Sequence, residues 1–142
     1  MTQTVAAIDC GTNSIRLLVA DLDADGRLHD RDRRMRIVRL GEAVDATGMI
    51  SEAALQRAFL ACDEFAEVIE SFAATKVRFV ATSASRDAKN RQVFVDGVRA
   101  RLALEPEVIP GEVEAALSFD GATSGLPSDA TAPFLMVDIG GG

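Results

Sequence analysis

The chain has 142 residues, 48% hydrophobic and 26% charged, with a formal net charge of −7. That composition excludes disordered and fibrous classes and gives enough apolar material for one soluble core, so one domain is the default. The acidic balance opposes nonspecific binding to nucleic acid or to an anionic membrane surface, and leaves a polyanion to be held through a local basic track or a metal ion.

Two apolar runs, residues 5–8 and 15–20, flank the polar stretch Asp9-Cys10-Gly11-Thr12-Asn13-Ser14 and read as a β-hairpin. Its tip gathers hydroxyls, an amide and backbone N–H groups into a concavity suited to phosphate. Asp9 stands where a metal counter-ion could bridge to that phosphate; an ordinary hairpin turn is the alternative. Asp23-Ala24-Asp25-Gly26 supplies the turn of a second hairpin, with His29 in solvent beside it. The third strand, residues 28–40, carries Arg31, Arg33, Arg34, Arg36 and Arg39, interrupted by Asp30 and Asp32. Alternating charge marks a solvated or edge strand; a track for an extended polyanion is the other reading.

Ser51 with Glu52 behind it reads as a helix N-cap. Leu55, Ala58, Phe59, Cys62, Phe65, Ala66, Ile69 and Phe72 then recur on one face of a long amphipathic helix. A buried strand at residues 77–81 ends in the polar loop Thr82-Ser83-Ala84-Ser85-Arg86-Asp87, the kind of position where open α/β sheets bind ligands. Arg86 suits phosphate oxygens there, or an ordinary ion pair. A helix through Val93, Val98, Leu102 and Leu104 is weakened by Gly97 by about 1 kcal/mol, and Val108-Ile109 makes a short strand. Pro110 opens a further helix with Val113, Ala116 and Leu117 on its core face. Glu114 stands at the edge of that face, where it reaches a cleft or merely complements the helix dipole. Residues 121–133 read as a linker. The segment that follows repeats the first loop's order of apolar strand, Asp, one residue, Gly, at Val137-Asp138-Ile139-Gly140.

Cys10 and Cys62 sit in apolar settings as small buried hydrophobes, without disulfide or metal-ligand spacing. The absence of a signal-peptide pattern and of an apolar run near the ~20 residues that span a bilayer favours the cytoplasm and no membrane partner.

Five stretches together resemble the exopolyphosphatase and guanosine pentaphosphate phosphohydrolase (Ppx/GppA) family. They are residues 7–14, Arg39-Leu40-Gly41-Glu42, residues 81–88, Gly111-Glu112-Val113-Glu114-Ala115 and residues 137–142, in the family's order. The resemblance implies an α/β fold, the ribonuclease-H-like half of the actin, sugar kinase and heat-shock chaperone ATPase superfamily, a mixed sheet flanked by helices. It implies a first domain at 1–125, a linker at 126–133, and at 134–142 the first strand and second phosphate loop of a truncated second domain, so that the chain is an amino-terminal fragment. Gly11, Thr12, Asn13, Ser14, Arg86, Gly140, Gly141 and Gly142 would bind phosphate, Asp138 and Asp9 the metal, Mg²⁺ or Mn²⁺, and Glu114 would be the catalytic base. The implied substrate is inorganic polyphosphate or guanosine pentaphosphate, with no specific nucleic acid, and a homodimer is open to the full-length protein. Val113 stands where family members often carry the first of two glutamates. An ATP-dependent kinase on the same scaffold is the alternative for the parent protein, and a catalytically silent phosphate-binding half is the expectation for the fragment alone.

Overall fold

The computed structural model describes residues 2–127 and 129–140. Strands β1 (Gln3–Cys10) and β2 (Ser14–Leu22) form the expected hairpin, with Cys10 opposite Ile15 and Asp9 opposite Arg16. Strand β3 (Leu28–Ile37) returns antiparallel on β2. It stops short of Leu40 because the N–H groups of Val38 and Arg39 both turn away to the Asn13 carbonyl, at 2.9 Å each. A single helical turn, α1 (Val44–Thr47), follows. The long helix α2 (Glu52–Ser71) is capped as expected, Ser51 Oγ accepting from the Ala54 N–H at 3.2 Å, a bond usually worth about 1 kcal/mol. Helix α2 carries the chain back so that β4 (Lys76–Ala81) lies parallel to β1 on the side away from β2. A short helix α3 (Ser83–Asp87) occupies the stretch read as a loop. Helix α4 (Arg91–Leu102) leads to β5 (Glu107–Val108), parallel to β4, and α5 (Gly111–Thr123) follows. The sheet order is β3-β2-β1-β4-β5, mixed as expected.

Strand alternation sends Ala6, Ile8 and Cys10 of β1, and Ile15, Leu17 and Val19 of β2, to one face. There they form a single buried cluster with Phe65 of α2, Phe79 of β4 and Phe94 of α4. Each such phenylalanine contributes roughly 1.5–3 kcal/mol by burial, and the Phe79 and Phe94 rings meet edge to face at 6.3 Å. Gly97 marks the closest approach of α4 to α2: a Cβ there would lie 2.1 Å from Phe59 Cζ. The helix cost of that glycine is therefore offset by close contact between two helices. Arg101 completes the seam by stacking its guanidinium 4.3 Å over Phe59. Cys10 and Cys62 are free and buried; burial pushes the Cys10 thiol well up and the Cys62 thiol to about 12.

The arginine-rich β3 is an edge strand, and its charges are paired. Arg31 contacts Asp21 at 2.5 Å, Arg33 contacts Asp30, Arg34 contacts Asp32 and Glu64, and Arg36 contacts Glu64. This is the solvated-edge arrangement rather than an open basic track. His29 is exposed beside Asp23 at 2.8 Å.

Four further expectations are corrected. Helix α5 runs through Thr123, across the start of the segment read as a linker; Ser and Gly content misled there because helix propensity yields to position in the fold. The face of α5 taken for core is exposed, Val113 at 39% and Leu117 at 37%, and the helix has no buried residue. Its partly buried residues are Glu114, Ser118 and Thr123 instead: a stripe is buried only where another apolar surface meets it, and α5 borders an open cleft. Leu104 lies past the end of α4, whose C-cap Ala103 turns left-handed. Residues 134–140 form no strand among the described residues, as expected of an apolar run without a hydrogen-bonding neighbour. Gly141 and Gly142 lie outside the described residues. Among the described residues, no helix is long and apolar enough to cross a membrane.

Candidate functional site

The sheet face opposite the core opens at the carboxyl ends of β1 and β4 into a cleft of about 1060 Å³. Odd positions of β1 and even positions of β2 project there, which brings Asp9 and Arg16 side by side across the hairpin. Gly11, Thr12, Asn13 and Ser14 line its floor. Thr82 and Ser83 border it from the β4 end, Glu114 and Ser118 from α5, and Asp138 and Gly140 from the last described segment.

The loop at residues 11–14 is closed by the Gly11 N–H donating to the Ser14 carbonyl at 2.9 Å. Its carbonyls are turned backwards. Thr12 C=O accepts from the Gly41 N–H at 3.0 Å, and Asn13 C=O accepts from Val38 and Arg39. In a trans peptide the N–H points opposite to the C=O, so the N–H groups of Asn13 and Ser14 turn forward into the cleft. Two such N–H groups with the Thr12 and Ser14 hydroxyls give a concavity of the kind that suits an anion. Thr12 Oγ1 shares a 2.7 Å hydrogen bond with Ser83 Oγ, tying this loop to α3. Gly41 explains the second sequence stretch: a Cβ there would lie 2.4 Å from Thr12 Cγ2, so with Thr12 in the rotamer that reaches Ser83 the connection lies against the back of the loop only as glycine.

Asp9 and Asp138 face the same space. The cleft walls strip hydration from the Asp9 carboxylate and push its pKa above the ordinary value, the Arg16 guanidinium pulls it back, and the like charge of Asp138 raises it again. Two mutually repelling carboxylates among hydroxyls form an all-oxygen donor set. Among the described residues no cluster of three or more His, Cys, Asp or Glu stands together.

Arg86 is drawn to Glu114 rather than into the cleft lining. Its Nη1 donates to the Ile109 carbonyl at 3.0 Å and lies 3.9 Å from Glu114 Oε2, while its Nε lies 3.5 Å from Asp87. The Glu114 N–H donates to the Pro110 carbonyl at 3.0 Å, so the first turn of α5 aims the carboxylate at the cleft. The residues picked from the sequence thus converge: Asp9, 11–14, Glu114, Asp138 and Gly140 share one cleft, and Arg86 adjoins it through Glu114. Arg16 and Ser118 escaped the sequence reading. Hairpin register could have found Arg16, since a four-residue loop at 11–14 pairs position 10 with 15 and position 9 with 16; helical spacing could have found Ser118, four residues after Glu114.

Comparison with known proteins gives the following matches. Residues 18–142 match the profile of the Ppx/GppA phosphatase family. Exopolyphosphatase 2 of Mycobacterium tuberculosis is 53% identical over 146 aligned positions, covering 97% of this chain and 46% of that protein. The guanosine-5'-triphosphate,3'-diphosphate pyrophosphatase of Photobacterium profundum is 33% identical, over 96% of this chain and 27% of that protein. A crystal structure of an exopolyphosphatase-like protein superposes with a TM-score of 0.85 at 53% identity, covering 90% of this chain and 39% of that one. The chain therefore spans less than half the length of these relatives.

Proposed function

The chain belongs to the Ppx/GppA phosphatase family, whose fold is that of the actin-like ATPases, and from that premise we propose that the protein is a divalent-metal-dependent hydrolase of terminal phosphoanhydrides. Its substrate in this reading is inorganic polyphosphate, guanosine pentaphosphate or both. The observation that carries the proposal is the shared cleft: a loop with its N–H groups turned forward, two carboxylates, and Glu114 on the opposite wall.

The N–H groups of Asn13 and Ser14 and the Thr12 and Ser14 hydroxyls bind the oxygens of the terminal phosphate, with Gly140 approaching from the other side. Arg16 adds positive charge beside Asp9, and Arg86 offers a phosphate oxygen the guanidinium edge not spent on Ile109. Glu114 holds a water and accepts its proton as the water oxygen attacks phosphorus in line, the bridging P–O bond opposite breaks, and the shortened chain leaves with that oxygen as a phosphate oxyanion. Asp9 and Asp138 would hold Mg²⁺ or Mn²⁺, which supplies charge neutralisation on the transferring group. Most of the rate in such chemistry comes from positioning and preorganised charge, so residues 1–142 alone would bind phosphate chains weakly without turnover. We read the location as cytoplasmic.

The test is phosphate release by the full-length protein from long-chain polyphosphate and from guanosine pentaphosphate, with Mg²⁺ and with a chelator. Release from one or both that stops on chelation supports the reading; no release from either with Mg²⁺ overturns it.

A further inference from the structure

Behind the phosphate loop runs the connection from β3 to α2, and the loop's orientation depends on it. Val38, Arg39 and Gly41 supply the N–H groups that hold the Thr12 and Asn13 carbonyls backwards, and hence the Asn13 and Ser14 N–H groups forwards. The connection has its own anchors. Val38 and Leu40 are fully buried. Between them Arg39 is held at φ 47°, in the left-handed region that a non-glycine residue keeps only when its surroundings impose it.

One side chain spans this stretch from outside. Arg57, half-buried on α2, donates through Nε to the Val38 carbonyl at 2.8 Å and sets Nη2 2.8 Å from Glu42 Oε1. Glu42 Oε1 in turn accepts from Ser51 Oγ at 2.9 Å, the hydroxyl that caps α2. The guanidinium therefore grips the connection on both sides of the strained Arg39 and of Gly41, whose missing side chain lets it lie against Thr12. Arg57 is absent from the cleft lining, so whatever it does for the site it does through this connection.

We propose that Arg57, with Glu42, is a positioning residue: it fixes the Val38–Glu42 connection as a splint that sets the direction of the anion-binding N–H groups. The proposal rests on the reading that the loop at residues 11–14 binds phosphate, but its structural half stands without it. Lysine cannot replace Arg57, because a single ammonium cannot reach the Val38 carbonyl and the Glu42 carboxylate in the fixed geometry of a guanidinium fork.

Two readouts separate this from simple stabilisation. Hydrogen exchange on the wild-type and Arg57→Gln chains reports on the splint itself, whatever the activity. Exchange at the amides of Val38, Arg39 and Gly41 speeds up about tenfold or more while the central β1 and β2 amides of Ile8 and Leu17 keep their protection. In full-length protein assayed on tripolyphosphate, Arg57→Gln raises KM about tenfold with a smaller change in kcat, Arg57→Lys does not rescue, and Glu42→Gln shows the same pattern more weakly. In a Gly41→Ala background, where the splint is already displaced, Arg57→Gln adds little further loss, because coupled residues are not additive. Unchanged exchange at the three amides, or acceleration spread evenly over the sheet, overturns the proposal. So do rescue by lysine and full additivity with Gly41→Ala. If the three amides speed up and neither substrate is turned over by wild type, the splint stands and the phosphohydrolase reading falls.

Discussion

Replacing Gly41 with alanine places a methyl carbon 2.4 Å from Thr12 Cγ2, about 1 Å inside an ordinary contact between carbon atoms. Two reliefs are open. Thr12 can rotate about χ1, which breaks its 2.7 Å hydrogen bond to Ser83 and costs about 1 kcal/mol. Otherwise the loop backs away from residue 41, stretching the Gly41 N–H to Thr12 carbonyl bond of 3.0 Å and swinging the Asn13 N–H out of place; forced overpacking of this kind typically costs about 1–3 kcal/mol. The first relief takes the Thr12 hydroxyl from its place in the cleft and the second shifts the loop itself, and misplacing reacting groups by about 1 Å costs about 10²-fold in rate. The assay pairs thermal unfolding with phosphate release by full-length protein. Gly97→Ala is the control: its methyl meets Phe59 at 2.1 Å, between α2 and α4 and away from the cleft. Gly41→Ala should lose about 10²-fold in kcat/KM, and Gly97→Ala should lose stability while its folded fraction keeps wild-type kcat/KM. A Gly41→Ala protein with wild-type kcat/KM would refute the claim that this glycine sets the loop.

The contacts of Glu42 predict a pH dependence. The Arg57 guanidinium and then the Ser51 hydroxyl hold its carboxyl below the ordinary value of 4.5. A lowered native pKa contributes stability that is present above the unfolded value and is lost as pH falls through the native one. Glu42→Gln should therefore be less stable than wild type at pH 7, with the gap closing as pH falls below the ordinary value of 4.5, followed by urea unfolding at a series of pH values; a gap independent of pH would contradict this. Charge reversal at Arg34 and Arg36 breaks pairs with Asp32 and Glu64 rather than an anion track. Activity on long and on short polyphosphate should thus change by the same factor, and selective loss on long chains would restore the track.

Much of this architecture is legible in local sequence. The hairpin around residues 11–14, the Ser51 cap and the α2 stripe follow from turn chemistry and periodicity, because each is decided by neighbours a few residues apart. Helix α5 is the instructive failure: Val113 and Leu117 have core spacing, yet the helix borders a cleft, and burial depends on what a stripe meets. The splint is equally silent, since the contacts of Gly41 with Thr12 and of Arg57 with Val38 join residues 29 and 19 apart in sequence. Among the site residues, Asp9, Glu114 and Asp138 came from motifs, and only the fold puts them around one space. Arg86 was picked for phosphate, whereas its nearest carboxylate on the site is Glu114 at 3.9 Å, a relation no spacing rule contains.

The most direct test of the account is the Glu114→Gln substitution in the full-length protein, assayed with Mg²⁺ on polyphosphate and on guanosine pentaphosphate. Glutamine keeps the size and the α5 contacts of the side chain but cannot take a proton from water. The account predicts a fall in kcat of about 10²- to 10⁴-fold with KM little changed. A variant with kcat near that of wild type would contradict it, leaving Glu114 as a glutamate that only complements the start of its helix.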